Sequence, residues 1–236
     1  MKIPNGKKYI LYIKTAKTGG TSFMKYLESI KPVKQFRRIN GVRKLDNIIL
    51  NDIIMVPNDT IDIFKSKYAD IYENSYKILI ARNPLTRALS GFNSHPLTKN
   101  MNDIKPLIND LNYLKYDSTK IDYKMEAPRK LWYLYSLYTH FYLEQTHGLI
   151  NNDVLEIDYI IYFENLDENI KLFMKEINVE RGVILNHLNQ TNSKRLKQFD
   201  DVSIKYINER FAKDFKYLNY ETGTLSSKFN SHASLI

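Results

Sequence analysis

Cysteine is absent from this 236-residue chain, which excludes disulfides and thiolate metal sites and suits a reducing compartment. Long apolar runs are missing too. Nothing approaches the ~20 residues a membrane-spanning helix requires. Residues 1–8 are polar, and the apolar run 9–13 is too short for the core of a signal peptide. These absences are read together as a cytoplasmic protein with no membrane segment in this chain. No repeat of fixed period and no long low-complexity linker interrupts the sequence, and glycine is scarce, eight residues in all.

What is present describes a folded chain. Hydrophobic residues make up 43%, and 18 Tyr and 11 Phe promise a core and a cleft built largely from aromatic rings. The net charge is +9. Such a surface attracts polyanions, whether nucleotides, carboxylated or sulfated glycans, nucleic acids or anionic membranes, and charge alone does not choose among them.

Hydrophobic patterning predicts alternating strands and helices. Residues 9–13 (Tyr-Ile-Leu-Tyr-Ile), 53–56, 76–81 and 158–163 read as buried strands. Thr21 is expected to cap a helix that runs to about Ile30 and is stopped by Pro32. Further helices are expected over 61–72, from Pro84 onward, and over 126–146, 167–177 and 202–215. Residues 97–124 read as an insertion of short helices and loops, and 223–236 as a peripheral tail. The recurrent strand, loop and helix predict a single α/β domain over 1–236, with a central parallel sheet flanked by helices in a three-layer, P-loop-like arrangement. Ligands of such sheets bind beyond the carboxyl ends of the strands, which directs attention to the loops after Ile13 and Ala81.

The first loop reads Lys14-Thr-Ala-Lys17-Thr18-Gly19-Gly20-Thr21-Ser22-Phe23. Two of the eight glycines stand here side by side, where a backbone can turn tightly and approach a ligand. The helix that follows offers unpaired N–H groups and the positive end of its dipole, Lys17 a point charge, and Thr18, Thr21 and Ser22 hydroxyls. This is the chemistry of a phosphate cradle. It is not a Walker A loop, in which the lysine follows the last glycine. The second loop, Arg82-Asn83-Pro84-Leu-Thr-Arg87-Ala-Leu-Ser90, places an arginine fork at a strand end, suited to bidentate grip of a phosphate, with Ser90 two helical turns on.

The order Lys-Thr-Gly-Gly-Thr-Ser after a strand resembles the 5′-phosphosulfate loop of sulfotransferases, especially carbohydrate enzymes of the glycan 2-O type. Arg-Asn-Pro-x-x-Arg-x-x-Ser resembles their 3′-phosphate signature. Ala16 stands where the family often has Pro, and Asn83 where it more often has Asp. Residues 158–177 and 200–220 look like the family's third strand and helix and its terminal helix, so the resemblance spans about 9–220, diffusely over 31–75 and 97–150. It implies the donor 3′-phosphoadenosine 5′-phosphosulfate (PAPS), the product PAP, and no metal. By this carry-over Lys17 contacts the bridging oxygen and sulfuryl group, Thr18 to Phe23 hold the 5′-phosphate, Arg82 and Ser90 grip the 3′-phosphate, and Lys194 or Arg195 closes over it. The general base of the family is a His or Glu between the two motifs. No His lies there in this chain, which leaves His95 as the base with Asp59, Asp62 and Glu73 as alternatives.

Basic charge and many aromatic residues suit a glycan acceptor, but no residue pattern identifies one. If the acceptor is a glycan of the secretory pathway, a leader or anchor is missing from this sequence. Competing readings are a small kinase-like transferase, a nucleic-acid-binding protein, for which no binding motif is seen, and a sulfotransferase fold that binds sugar without catalysis.

Overall fold

The computed structural model describes residues 1–39, 42–45, 48–95, 138–180 and 200–223. Described residues 1–82 and 145–180 form one compact unit, and 83–95, 138–144 and 200–223 another.

The first unit is built on β1 (Tyr9–Lys14), whose residues Ile10 to Ile13 are all completely buried. A strand covered on both faces has no use for alternation, which explains its continuous apolar run. β1 lies between β5 (Ile53–Pro57) and β6 (Ser75–Ala81), parallel to both, with Ile10 opposite Ile53 on one side and Tyr76 on the other. The short strand β2 (Val33–Gln35) and β9 (Tyr159–Tyr162) form the two edges, giving a five-stranded, all-parallel sheet in the order β2-β5-β1-β6-β9. The expected α/β architecture, a central parallel sheet flanked by helices, is what the chain adopts.

One face of the sheet carries Ile10, Tyr12, Met55, Ile78 and Ile80. It packs in a single cluster with Phe23, Met24 and Leu27 of α1 (Gly20–Ile30) and Ile170, Phe173 and Met174 of the helix Leu166–Glu176. The Tyr12 and Phe23 rings meet edge to face, their centroids 5.0 Å apart. Packing of this kind turns the periodicity of α1 into a fixed position for its N-terminus at the end of β1. Two hairpins, β3 (Arg37–Ile39) with β4 (Val42–Lys44) and β7 (Ile150–Asn151) with β8 (Val154–Leu155), had no counterpart in the sequence reading.

Several boundaries differ from expectation. The helix expected over 61–72 is two, α2 (Ile61–Lys67) and α3 (Ala69–Glu73). The break falls at Tyr68, whose ring packs against Phe36 and Phe64 and whose hydroxyl accepts the Leu45 N–H at 3.1 Å. Thr21 is not the cap of α1. It lies exposed inside the helix, and Gly19 occupies the N-cap with φ 81°.

The second unit is helical in its described residues. Asn83 caps α4 (Pro84–Ser94), its side-chain oxygen accepting from the N–H groups of Leu85 and Thr86. A cap needs only that acceptor oxygen, so Asn serves where the family more often has Asp. A single π-helical turn, Tyr138–Tyr142, ends the helix expected over 126–146 four residues early; residues 126–137 and the insertion 97–124 lie outside the described residues. The terminal helix expected over 202–215 is divided at the buried Phe211 into the helices Asp201–Arg210 and Ala212–Tyr217. With the helix Leu166–Glu176 as α5, these are α6 and α7.

Candidate active site

The loop between β1 and α1 is held from within. Thr15 and Thr18 are both buried, their hydroxyls 2.9 Å apart; Thr18 Oγ1 donates to the Thr15 carbonyl at 3.2 Å, and Thr15 Oγ1 donates to the Ile80 carbonyl of β6 at 3.2 Å. The Thr18 hydroxyl therefore ties the loop together, which corrects the expectation that it faces the ligand. Phe23 likewise lies wholly in the core. Its part is to anchor α1.

Gly19 and Gly20 have separate reasons to be glycine. Gly19 sits in the left-handed region, and a Cβ there would come within 3.0 Å of the Phe163 ring. A Cβ on Gly20 would fall 2.5 Å from the Tyr12 hydroxyl, which is buried and has no hydrogen-bond partner among the described residues. The first helical bonds of α1 come from the Ser22 and Phe23 N–H groups, both reaching the Gly19 carbonyl. Those of Gly20 and Thr21 precede the helical ladder and are left for an outside acceptor.

Two cations converge on this loop. Lys17 adopts φ 66° and is half-buried, and its ammonium has no hydrogen-bond or ion-pair partner among the described residues. Burial first, and the Arg82 charge second, hold its pKa below the ordinary lysine value. Arg82, one residue beyond β6, reaches across 65 residues of sequence to donate from Nη1 to the Lys17 carbonyl at 3.0 Å. Its guanidinium carbon stands 4.3 Å from the centre of the Phe163 ring. Phe163 thus supports Arg82 on its face and borders Gly19 at its edge. Gln145 grips the Arg82 backbone, accepting its N–H at 2.9 Å and donating to its carbonyl at 2.8 Å. Nothing in the local sequence marks Tyr12, Phe163 or Gln145 as part of a site; the register of β1, β6 and β9 brings in the first two, and the side-chain amide of Gln145 joins them through the Arg82 backbone.

The remaining expectations divide. Lys17, Gly19, Gly20, Thr21, Ser22 and Arg82 belong to the first unit. Ser90 is half-buried in α4 of the second unit. His95, at the C-cap of α4 in that same unit, is 3% exposed, with its ring 6.3 Å from that of His140. Lys194 and Arg195 lie outside the described residues. Asp59 is half-buried two residues beyond the carboxyl end of β5, the strand beside β1. Asp62 is exposed, 3.7 Å from His147 Nε2. Glu73 is at the wrong end of the sheet for a base. It precedes β6, and its carbonyl accepts from the Lys7 ammonium at the amino end of β1.

Chemically, the loop is suited to an anion. Paired N–H groups at a helix start, an unpartnered ammonium and a guanidinium stacked on a ring all favour negative charge, and two glycines leave room for it. A nearby cavity of about 320 Å³ is lined by residues Phe163 to Glu168. Its carboxylates suit an anion poorly. Among the described residues no group of three or more His, Asp and Glu is arranged to hold a metal ion, and no helix is long and apolar enough to cross a membrane.

A parallel α/β sheet with a cationic, glycine-bearing loop at the carboxyl end of its central strand is an arrangement suited to an anionic ligand. Residues 3–221 match the family model described as the sulfotransferase family, Sulfotransfer_2, and the chain belongs to that family. It is an enzyme of sulfuryl transfer. The crystal structure of a sulfotransferase from Alicyclobacillus acidocaldarius is similar to it at 15% sequence identity, over 89% of this chain and 93% of that one, with a TM-score of 0.42. No curated protein matches the sequence.

Proposed function

We propose that the chain transfers the sulfuryl group of PAPS to a hydroxyl of a glycan. The observation that carries this reading is the convergence of Lys17, Arg82 and the start of α1 on one loop whose glycines have no room for a Cβ. The N–H groups of Gly20 and Thr21, with the Thr21 and Ser22 hydroxyls, hold the 5′-phosphate. Arg82 holds the 3′-phosphate. Family membership supports the donor, and the +9 charge and abundant aromatic rings support an acidic polysaccharide as acceptor.

The acceptor oxygen attacks sulfur in line. An O–S bond forms while the bond from sulfur to the bridging oxygen breaks, and that electron pair goes to the 5′-phosphate. Lys17 stabilises the charge appearing on the bridging oxygen. The acceptor proton passes to a base. Of the candidates, Asp59 suits the role, because it lies just beyond the carboxyl end of the strand next to β1.

The test is thermal unfolding with PAP or with ATP, followed by transfer of labelled sulfate from PAPS to glycosaminoglycan chains. PAP at about 100 times its dissociation constant should stabilise the protein by about 2.7 kcal/mol, and ATP should not. Labelled glycan is the expected product, and Asp59→Asn should slow its formation without weakening PAP. Stabilisation by ATP alone would replace this reading with a kinase-like one. Transfer to small phenols but not to glycans would overturn the acceptor assignment.

A further inference from the structure

We infer that Gln145 is a positioning residue for the donor-binding arginine, a side-chain amide that takes the place of a neighbouring strand and sets the direction of the Arg82 guanidinium. The inference rests on the proposed role of Arg82 in holding the donor.

The sheet stops one residue too soon to hold Arg82. β6 ends at Ala81, opposite Tyr162, the last residue of β9. Beyond that pair the N–H and carbonyl of Arg82 have no ladder to join. Gln145 supplies both missing partners, with bonds of 2.9 and 2.8 Å. Its own main-chain carbonyl accepts from Asn58 Nδ2 at 3.4 Å, and Asn58 follows β5 directly. The tie therefore runs from the end of β5 through Gln145 to Arg82 and on to the Lys17 carbonyl.

The chemistry selects a carboxamide. One planar group must present an acceptor to an N–H and a donor to a C=O at the spacing of a peptide unit. Glutamate lacks the donor when ionised, and methionine lacks both. Gln145 is 0% exposed, so water cannot stand in for its amide, and losing it removes both of these bonds to the Arg82 backbone. A bidentate grip on a phosphate depends on where the guanidinium stands, and small misplacements of such groups carry large costs in binding and rate.

The experiment compares Gln145→Met, Gln145→Glu and Arg82→Ala with the parent, each checked for folding by circular dichroism, using PAP affinity and the kinetics of PAPS turnover. Gln145→Met should raise the Kd for PAP and the KM for PAPS about tenfold while changing kcat at saturating donor much less. In Gln145→Glu the ionised carboxylate can accept from the Arg82 N–H but has no donor for the Arg82 carbonyl. The neutral acid can donate to that carbonyl again, so PAP affinity relative to the parent should recover between about pH 8 and about pH 5. The uncharged Met variant separates loss of the clamp from added charge, and if it fails to fold the Glu titration still decides. Parental PAP affinity in folded Gln145→Met, or a Gln145→Glu deficit that does not change with pH, would overturn the inference. If Arg82→Ala also binds PAP like the parent, the donor reading falls with it. If Arg82→Ala loses PAP and Gln145→Met does not, only the clamp is wrong.

Discussion

Arg82 and Arg87 stand five residues apart in one motif, yet they inhabit opposite environments. Arg82 is half-buried, stands over the Phe163 ring and donates to the Lys17 carbonyl. Arg87, in the second unit, is 1% exposed. It donates to the Leu143 carbonyl at 2.6 Å, faces the wholly buried Asp214 at 4.0 Å and sits over the Phe211 ring. A guanidinium turned toward carbonyl, carboxylate and ring inside a helical unit is a structural fastener. One beside an unpartnered ammonium and a helix N-terminus is placed to meet an anion. The motif spelled both as arginine, and the environment divided their labour.

The largest expected effect tests the structural member of the pair. Arg87→Met removes the cation that faces the buried Asp214 at 4.0 Å and should cost about 3–5 kcal/mol in urea denaturation, whereas Arg82→Met should cost under about 1 kcal/mol and chiefly weaken PAP. If Arg82→Met unfolds the protein and Arg87→Met does not, the comparison is reversed.

Next in size, Lys17→Ala should lower the transfer rate by about 10²–10³-fold with stability unchanged or improved, because a partly desolvated ammonium is removed. The pH dependence has a definite sign. The Lys17 pKa is lowered in the folded state, so between that value and the ordinary lysine value the unfolded chain binds more protons. Stability of the unliganded protein should therefore rise with pH through that window. PAP affinity should fall through it as the ammonium is lost. Measuring both in Lys17→Ala should show the two trends flattened.

The smallest effects concern the floor of the loop. Gly20→Ala forces a Cβ against the Tyr12 hydroxyl and should cost about 1–3 kcal/mol. Tyr12→Phe removes a buried hydroxyl that has no partner among the described residues and should change stability by less than about 1 kcal/mol. In the Tyr12→Phe background, Gly20→Ala should cost less by about 0.5 kcal/mol or more. Strict additivity in denaturation experiments would mean that the hydroxyl is not what excludes a side chain at position 20.

The central strands were legible because β1 and β6 are buried on both faces and so carry the unbroken apolar runs 9–13 and 78–81. The edge strand β2 and the two hairpins escaped notice because segments of two or three residues are too short to carry a periodicity. Helix breaks at Tyr68 and Phe211 were hidden for another reason: each aromatic residue fits the helical pattern, and only its neighbours in space decide that it leaves the helix.

By itself the sequence determined the glycine-bearing and arginine-bearing loop motifs, their order and the strands that precede them, since each is a local matter of glycine, charge and hydrophobic run. Tertiary structure alone decided that Thr18 turns inward, that Gly20 lies over the Tyr12 hydroxyl, that Glu73 falls at the far end of the sheet, and that Gln145 and Phe163 hold Arg82 from residues 63 and 81 positions away. Those relations are set by strand register and core packing, which bring distant residues within hydrogen-bond reach and leave no trace in the order of their neighbours along the chain.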